Sequence, residues 1–171
     1  NLTGYGIKCI DCLADYNGQK TPDESALGAS GFYLDHQTSA RDIVFTNCIA
    51  HHNTERGLSI EALSQKVIVS DCEFYYNQLS GIHVATAQRV NIHNCICHSN
   101  GTWSSAATTS YRKSGIDLDA PLAVVITGCT CYDEHSSGNQ TQEYGIEQYG
   151  TANIVSGVIA CNACGYNKIE S

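Results

Sequence analysis

Five acidic residues, a histidine and two tyrosines recur at fixed offsets from a repeated glycine, and these are the side chains with which the chain could do chemistry. After Gly31, Gly57, Gly81, Gly115 and Gly145, the second and fourth positions hold Tyr33 and Asp35, Ser59 and Glu61, His83 and Ala85, Asp117 and Asp119, and Glu147 and Tyr149. Glycoside hydrolysis needs two carboxyl groups, about 5 Å apart for retention or about 6.5–9.5 Å for inversion. Asp117 and Asp119 would stand about 7 Å apart at Cα on one strand face, and Asp35 and Glu61, on neighbouring repeats, closer still. β-Elimination or epimerisation beside a sugar carboxylate instead needs a base to take the proton and a cation to stabilise the enolate. His83 or Tyr33 could be that base. Arg112, or a calcium ion held by Asp117, Asp119 and Glu147, could supply the positive charge.

The elements that position these residues follow from the repeat. GFYL, GLSI, GIHV, GIDL and GIEQ each open a unit whose first and third residues after the glycine point inward and whose second and fourth point outward. A second alternating run supplies Ile7, Cys9 and Cys12; Ile43, Phe45 and Cys48; Val67, Val69 and Cys72; Val90, Ile92 and Cys95; and Val124, Ile126 and Cys129. The last copy degrades to Ala152, Ile154 and Gly157. Alternation is the strand period, so each unit contains at least two short strands, and a strand-built repeat without helical period predicts a parallel β-helix of about six coils spanning 1–171.

Five residues past the Cys position stand Asn17, Asn53, Asn77 and Asn100, then Glu134 as the exception, then Asn162. This column predicts a structural corner, where Asn tolerates left-handed backbone angles and bonds to the backbone or to the Asn of the next coil. The ten cysteines predict a ladder of buried thiols acting as small hydrophobes. Stacked coils lie about 4.8 Å apart, within range of a Cys95–Cys129 bridge. Cys9-x-x-Cys12 and Cys161-x-x-Cys164 would be about 24 Å apart, too far to share one zinc. His51, His52, His93 and His98 read as ordinary outward fillers.

Composition narrows the partners. The chain has 171 residues, 42% of them apolar, enough for one continuous stacked core, and only 15% charged. Nine basic residues, scattered, against a net charge of -8 exclude a nucleic-acid partner. No apolar run approaches a membrane span. The start at Asn1 in mid-coil predicts that the chain is part of a longer polypeptide.

Insertions fall between the corner Asn and the next glycine, at 18–30, 54–56, 78–80, 101–114 and 135–144, on one edge of the acidic face. Long insertions flank short ones, which predicts a valley holding Glu61 and His83. The segment 101–114 offers Trp103 and Tyr111 for stacking on sugar rings, with Arg112 and Lys113 for an acidic substrate. A cleft floored by carboxylates and walled by aromatics is the expected binding site, and it assigns Glu61, His83, Asp35, Asp117 and Asp119 to catalysis and Tyr33, Trp103, Tyr111, Arg112, Lys113, Glu147 and Tyr149 to substrate binding. If Glu61 and His83 lie open between the long loops with a second carboxylate in reach, an enzyme is expected; if the loops collapse over them, a scaffold. Asn1-Leu2-Thr3, Asn100-Gly101-Thr102 and Asn139-Gln140-Thr141 match the glycosylation acceptor pattern.

With this register repeated so often, the whole chain resembles the right-handed parallel β-helix of the pectate-lyase superfamily. EYGIEQYGTANI resembles coils of bacterial surface β-helices and phage tailspikes. Gly31-Phe32, His36-Gln37-Thr38 and Ala50-His51-His52-Asn53 resemble the catalytic module of mannuronan C5-epimerases. That family's motif runs Tyr-Gly-Phe-Asp-Pro-His, where this chain has Ser30, Tyr33 and Asp35 in place of its Tyr, Asp and His. One inserted residue would align Asp35 and His36 with Asp and His, and Glu61 replaces the family's second Asp. The resemblance implies an extracellular or virion-surface protein acting on an acidic polysaccharide as lyase, hydrolase or epimerase. Tailspikes imply a homotrimer. A non-catalytic shaft or adhesin, its acidic face binding calcium or sugar, is the competing class.

Overall fold

The computed structural model describes residues 4–18, 29–34, 40–103, 112–135, 139–149 and 168–169. Its strands are all short and stack in parallel as three sheets, one more than the two runs read from the sequence. The first sheet stacks β3 (Phe32–Leu34), β6 (Leu58–Ile60), β9 (Ile82–Ala85), β12 (Ser114–Asp119), β15 (Tyr144–Tyr149) and β16 (Lys168–Ile169). The second stacks β1 (Lys8–Ile10), β4 (Arg41–Thr46), β7 (Gln65–Ser70), β10 (Gln88–His93) and β13 (Leu122–Thr127). The third stacks β2 (Leu13–Asp15), β5 (Ile49–His51), β8 (Glu73–Tyr75), β11 (Ile96–His98) and β14 (Thr130–Tyr132). Among the described residues there is no helix long and apolar enough to cross a membrane.

Inward positions stack like on like. Ile43, Val67, Val90 and Val124 are register partners, as are Cys9, Phe45, Val69, Ile92 and Ile126. Together with Leu34, Leu58, Ile60, Ile82, Val84, Ile116, Leu118 and Ile146 they form one continuous core. Branched side chains suit a pleated surface covered on its inner face, which is why this alternation settles as strand. The opening glycines have a steric cause. A Cβ on Gly57 would lie 2.7 Å from the Gly81 carbonyl oxygen and 2.6 Å from Phe74 Cδ1, so the next coil leaves no room for a side chain.

The asparagine column forms a ladder, and the chain continues it differently from the sequence reading. Asn17 Nδ2 donates to Asn53 Oδ1 at 2.8 Å, Asn53 Nδ2 to Asn77 Oδ1 at 2.9 Å, and Asn77 Nδ2 to Asn100 Oδ1 at 3.0 Å. The next rung is not Glu134, which is exposed and accepts from the Tyr76 hydroxyl, but Gln142, whose Oε1 accepts from Asn100 Nδ2 at 3.0 Å. The longer side chain of Gln142 reaches the same point from within the insertion 135–144. The left-handed residues are not these asparagines but those just before them: Tyr16, His52, Tyr76 and Ser99, with φ between 51° and 54°. Asn100 is fully buried in the ladder, which rules it out as a glycosylation acceptor; Asn139 is exposed, and Asn1 lies outside the described residues.

Among the described residues no cysteine is in a disulfide, so the Cys95–Cys129 bridge is not formed. Cys48, Cys72, Cys95 and Cys129 sit in the core, and burial pushes the Cys48 thiol up to about 11, so it stays protonated at neutral pH. Ala152, Ile154, Gly157, Cys161, Asn162 and Cys164 lie outside the described residues.

Candidate functional site

Each strand of the first sheet sends its second post-glycine residue to the side away from the core, and the register aligns these as one row: Tyr33, Ser59, His83, Asp117 and Glu147. The row was expected on a solvated face. Instead every member is buried, at 6, 0, 7, 1 and 8% exposure, and the face must therefore satisfy its charges internally.

Asp117 is the hub. Its Oδ1 lies 2.5 Å from Arg112 Nη1 and its Oδ2 2.7 Å from His83 Nδ1. Burial alone pushes the carboxyl up, but the charge and hydrogen bond of His83, with Arg112 and Arg56, bring it below the ordinary carboxylate range. Burial likewise opposes the Arg112 charge, yet Asp117, Asp119 and Glu147 raise its pKa overall, and the guanidinium also lies 4.6 Å over the Tyr149 ring. Asp117 and Arg112 are thus an ionised buried pair. Arg112, read from the sequence as open to an acidic substrate, is 4% exposed and engaged with Asp117, and Asp117, read as a catalytic carboxylate, is 1% exposed and held by Arg112 and His83.

An ionised carboxylate accepts only, so the proton in the His83–Asp117 bond belongs to His83 Nδ1. When the ring gives up its Nε2 proton the lone pair sits on that atom, which faces Glu61 Oε1 at 3.9 Å. Glu61 is itself held by Ser59 Oγ, which donates to Oε1 at 2.6 Å. Three coils therefore contribute one carboxylate–imidazole–carboxylate line. On the fourth, Ser114 Oγ donates to Glu147 Oε2 at 2.7 Å.

Of the remaining predicted residues, Asp119 is half-buried two residues beyond the hub on the same strand, and Tyr149 is exposed. Trp103 and Lys113 are half-buried; Trp103 is fixed by its backbone N–H, which donates to the Gln78 carbonyl at 3.1 Å. Asp35 and Tyr111 lie outside the described residues. Among the described residues Asp117, Asp119 and Glu147 do not gather as a metal-ligand group. Asp117 already accepts from two protein donors, His83 and Arg112.

The short segment 54–56 carries a pair that sequence reasoning passed over. Glu55 is buried, and burial raises its pKa despite the neighbouring Arg56 charge and the hydrogen bond from Ser30 Oγ at 3.2 Å. Arg56 lies within electrostatic reach of both Glu55 and Asp117. The available signal was an adjacent acid and base in the shortest insertion, beside the row's centre.

Comparison with known proteins gives the following. One similar solved structure is the A-module of the mannuronan C-5 epimerase AlgE4 of Azotobacter vinelandii, at 16% identity and a TM-score of 0.43, covering 98% of this chain and 58% of that one. Another is the pectate lyase Pel9A, at 15% identity and a TM-score of 0.36, covering 78% of this chain and 50% of that one. This chain thus spans little more than half the length of either. No curated protein sequence matches it. Residues 17–167 match the family described as the right handed beta helix region. With three stacked parallel sheets and a match over most of its length, the chain belongs to the right-handed β-helix family.

Proposed function

We propose that the first sheet binds an acidic polysaccharide and acts on it by proton transfer, with His83 as the base. The observation that carries this reading is the 2.7 Å bond from His83 Nδ1 to buried Asp117, which leaves Nε2 facing Glu61. In a uronate, Nε2 would take the proton from the carbon beside the carboxylate. The electron pair left behind either expels the glycosidic oxygen, giving an unsaturated sugar, or is reprotonated from the opposite side. Glu61 is placed to exchange a proton with the leaving or returning group. Arg56 and Lys113, in place of calcium or Arg112, would meet the substrate's charge, and Trp103 and Tyr149 its rings. Two-carboxylate hydrolysis is less well supported, because Asp117 is sealed and paired. A polymer substrate goes with an extracellular or virion-surface location, and sedimentation would tell a homotrimer from a monomer.

A second reading has its own observation. His83, Asp117 and Arg112 are 7, 1 and 4% exposed, as expected of a network that knits coils together in a non-catalytic shaft or adhesin.

The test is incubation with a panel of uronate and capsular polysaccharides in D2O, scoring unsaturated ends, reducing ends and deuterium gained at carbon. The proposal expects unsaturation or deuterium, reduced about 10²–10⁴-fold in His83→Ala and strongly in Glu61→Gln. Reducing ends alone would overturn it in favour of a hydrolase. Binding without any product would establish the shaft or adhesin reading.

A further inference from the structure

On the third sheet, away from the row centred on Asp117, three metal-ligating groups meet that the proposed function does not use. Asp15 ends β2 and its register partner His51 ends β5 in the next coil. Adjacent strand residues ordinarily point to opposite faces, but His52 is left-handed, with φ of 54°, and this turn swings its ring back beside that of His51. His51 Nδ1 consequently lies 3.1 Å from Asp15 Oδ1 and 2.7 Å from His52 Nδ1. All three ligand atoms fall within 4.8 Å of one another.

The protons do not suffice for these contacts. Nδ1 of His51 carries one hydrogen at most, and it can be donated to Asp15 or to His52 but not fully to both. If His52 Nδ1 is the donor instead, the lone pair of His51 faces the Asp15 carboxylate. If both rings are protonated, two N–H groups face each other at 2.7 Å. With Asp15 ionised, every arrangement leaves one close contact without its hydrogen, whereas a cation lying between the three lone pairs satisfies all of them. The rings are also held in place for it: Tyr75 stacks on His51 at 4.6 Å and 18°, and Tyr16 on His52 at 4.8 Å and 13°. The same corner recurs at Tyr75–Tyr76 and His98–Ser99, but among the described residues only Asp15, His51 and His52 bring three ligands together.

We propose that Asp15, His51 and His52 form a binding site for a first-row divalent transition metal of the zinc, cobalt or nickel class, clamping the first coil to the second. Imidazole nitrogens with one carboxylate select these ions over calcium or magnesium, and three protein ligands leave at least one position for water. Ligands about 2.1 Å from zinc at a tetrahedral angle stand about 3.4 Å apart, so the rings need to separate by less than about 1 Å. Asp15 and His52 are exposed, which gives the ion a route in.

Cobalt(II) titration of the full chain tests the site, because its visible absorption reports coordination and its near-ultraviolet thiolate bands would reveal cysteine ligands. The expected result is one cobalt per chain without thiolate bands, displaced by zinc, with a zinc-dependent rise in Tm. His52→Asn keeps a residue that tolerates the left-handed corner, and should weaken binding at least about tenfold. Asp15→Asn, on a separate strand, should do the same, while His98→Ala leaves binding unchanged. The proposal is overturned by absence of binding, by thiolate bands alone, or by affinity that survives both His52→Asn and Asp15→Asn.

Discussion

Asp117→Asn isolates the interaction on which the first sheet depends. The substitution keeps the side chain's shape but removes the charge from a group 1% exposed, leaving the Arg112 guanidinium, 4% exposed, without its 2.5 Å partner. Breaking a buried pair by removing one member costs about 3–5 kcal/mol, because the surviving charge stays desolvated. Asp119, Glu147 and the Tyr149 ring still surround Arg112, which places the expected loss near about 3 kcal/mol. Arg112→Met with Asp117→Asn removes both charges and should recover most of that loss, a coupling visible in a double-mutant cycle. Urea denaturation measures the energies, and hydrogen exchange at β9, β12 and β15 locates them, since coils of a solenoid open locally. The pH dependence has a definite sign. Asp117 titrates lower in the fold than in the unfolded chain, so its contribution is complete above the unfolded value of about 3.9 and is lost as pH falls below it through the folded value. Asp117→Asn should flatten that acid limb. A variant within about 0.5 kcal/mol of wild type at pH 7, or a double variant as unstable as Asp117→Asn alone, would refute the reasoning.

Other expectations concern the ladder, the glycine column and Glu55. Asn77→Ala removes donors to the Ala50 carbonyl and Asn100 Oδ1 and the acceptor of the Asn53 backbone N–H. It should destabilise by about 2–5 kcal/mol in urea denaturation, while Asn77→Gln loses less if the longer amide re-forms the bonds as Gln142 does. Gly57→Ala drives a Cβ against the Gly81 carbonyl and Phe74 ring, and should cost about 1–3 kcal/mol, seen as a lowered Tm. Glu55 titrates higher in the fold than unfolded, so its ionisation opposes folding as pH rises through that raised value. Glu55→Gln should therefore raise Tm at pH 7 relative to wild type and make no such gain at pH 4; an equal change at both would show that the carboxyl's charge is not the cause.

The coil register was legible in the sequence because it rests on local rules. Alternation at Ile43 and Phe45, Val67 and Val69, or Val90 and Ile92 can bury a strand in only one orientation, and each coil repeats the choice of its neighbour. The glycine and asparagine columns were equally visible, since both mark where one coil touches the next. What the sequence could not state is which polar groups close on one another between coils. Counting five residues past Cys129 leads to Glu134, but the ladder needs only an amide oxygen at the right point, and Gln142 supplies it from within the following insertion. Reading outward as exposed failed for the same reason. Alternation says that Asp117 and His83 leave the core, but not that both end up buried, with Arg112 and His83 closing on the two oxygens of Asp117. His51 and His52 look like surface fillers because neighbours on a strand diverge; one left-handed residue reverses that and joins them to Asp15. Strand period and stacking are properties of consecutive residues and so are written in the chain, whereas hydrogen bonds and charges 23 to 42 residues apart exist only after the coils have stacked.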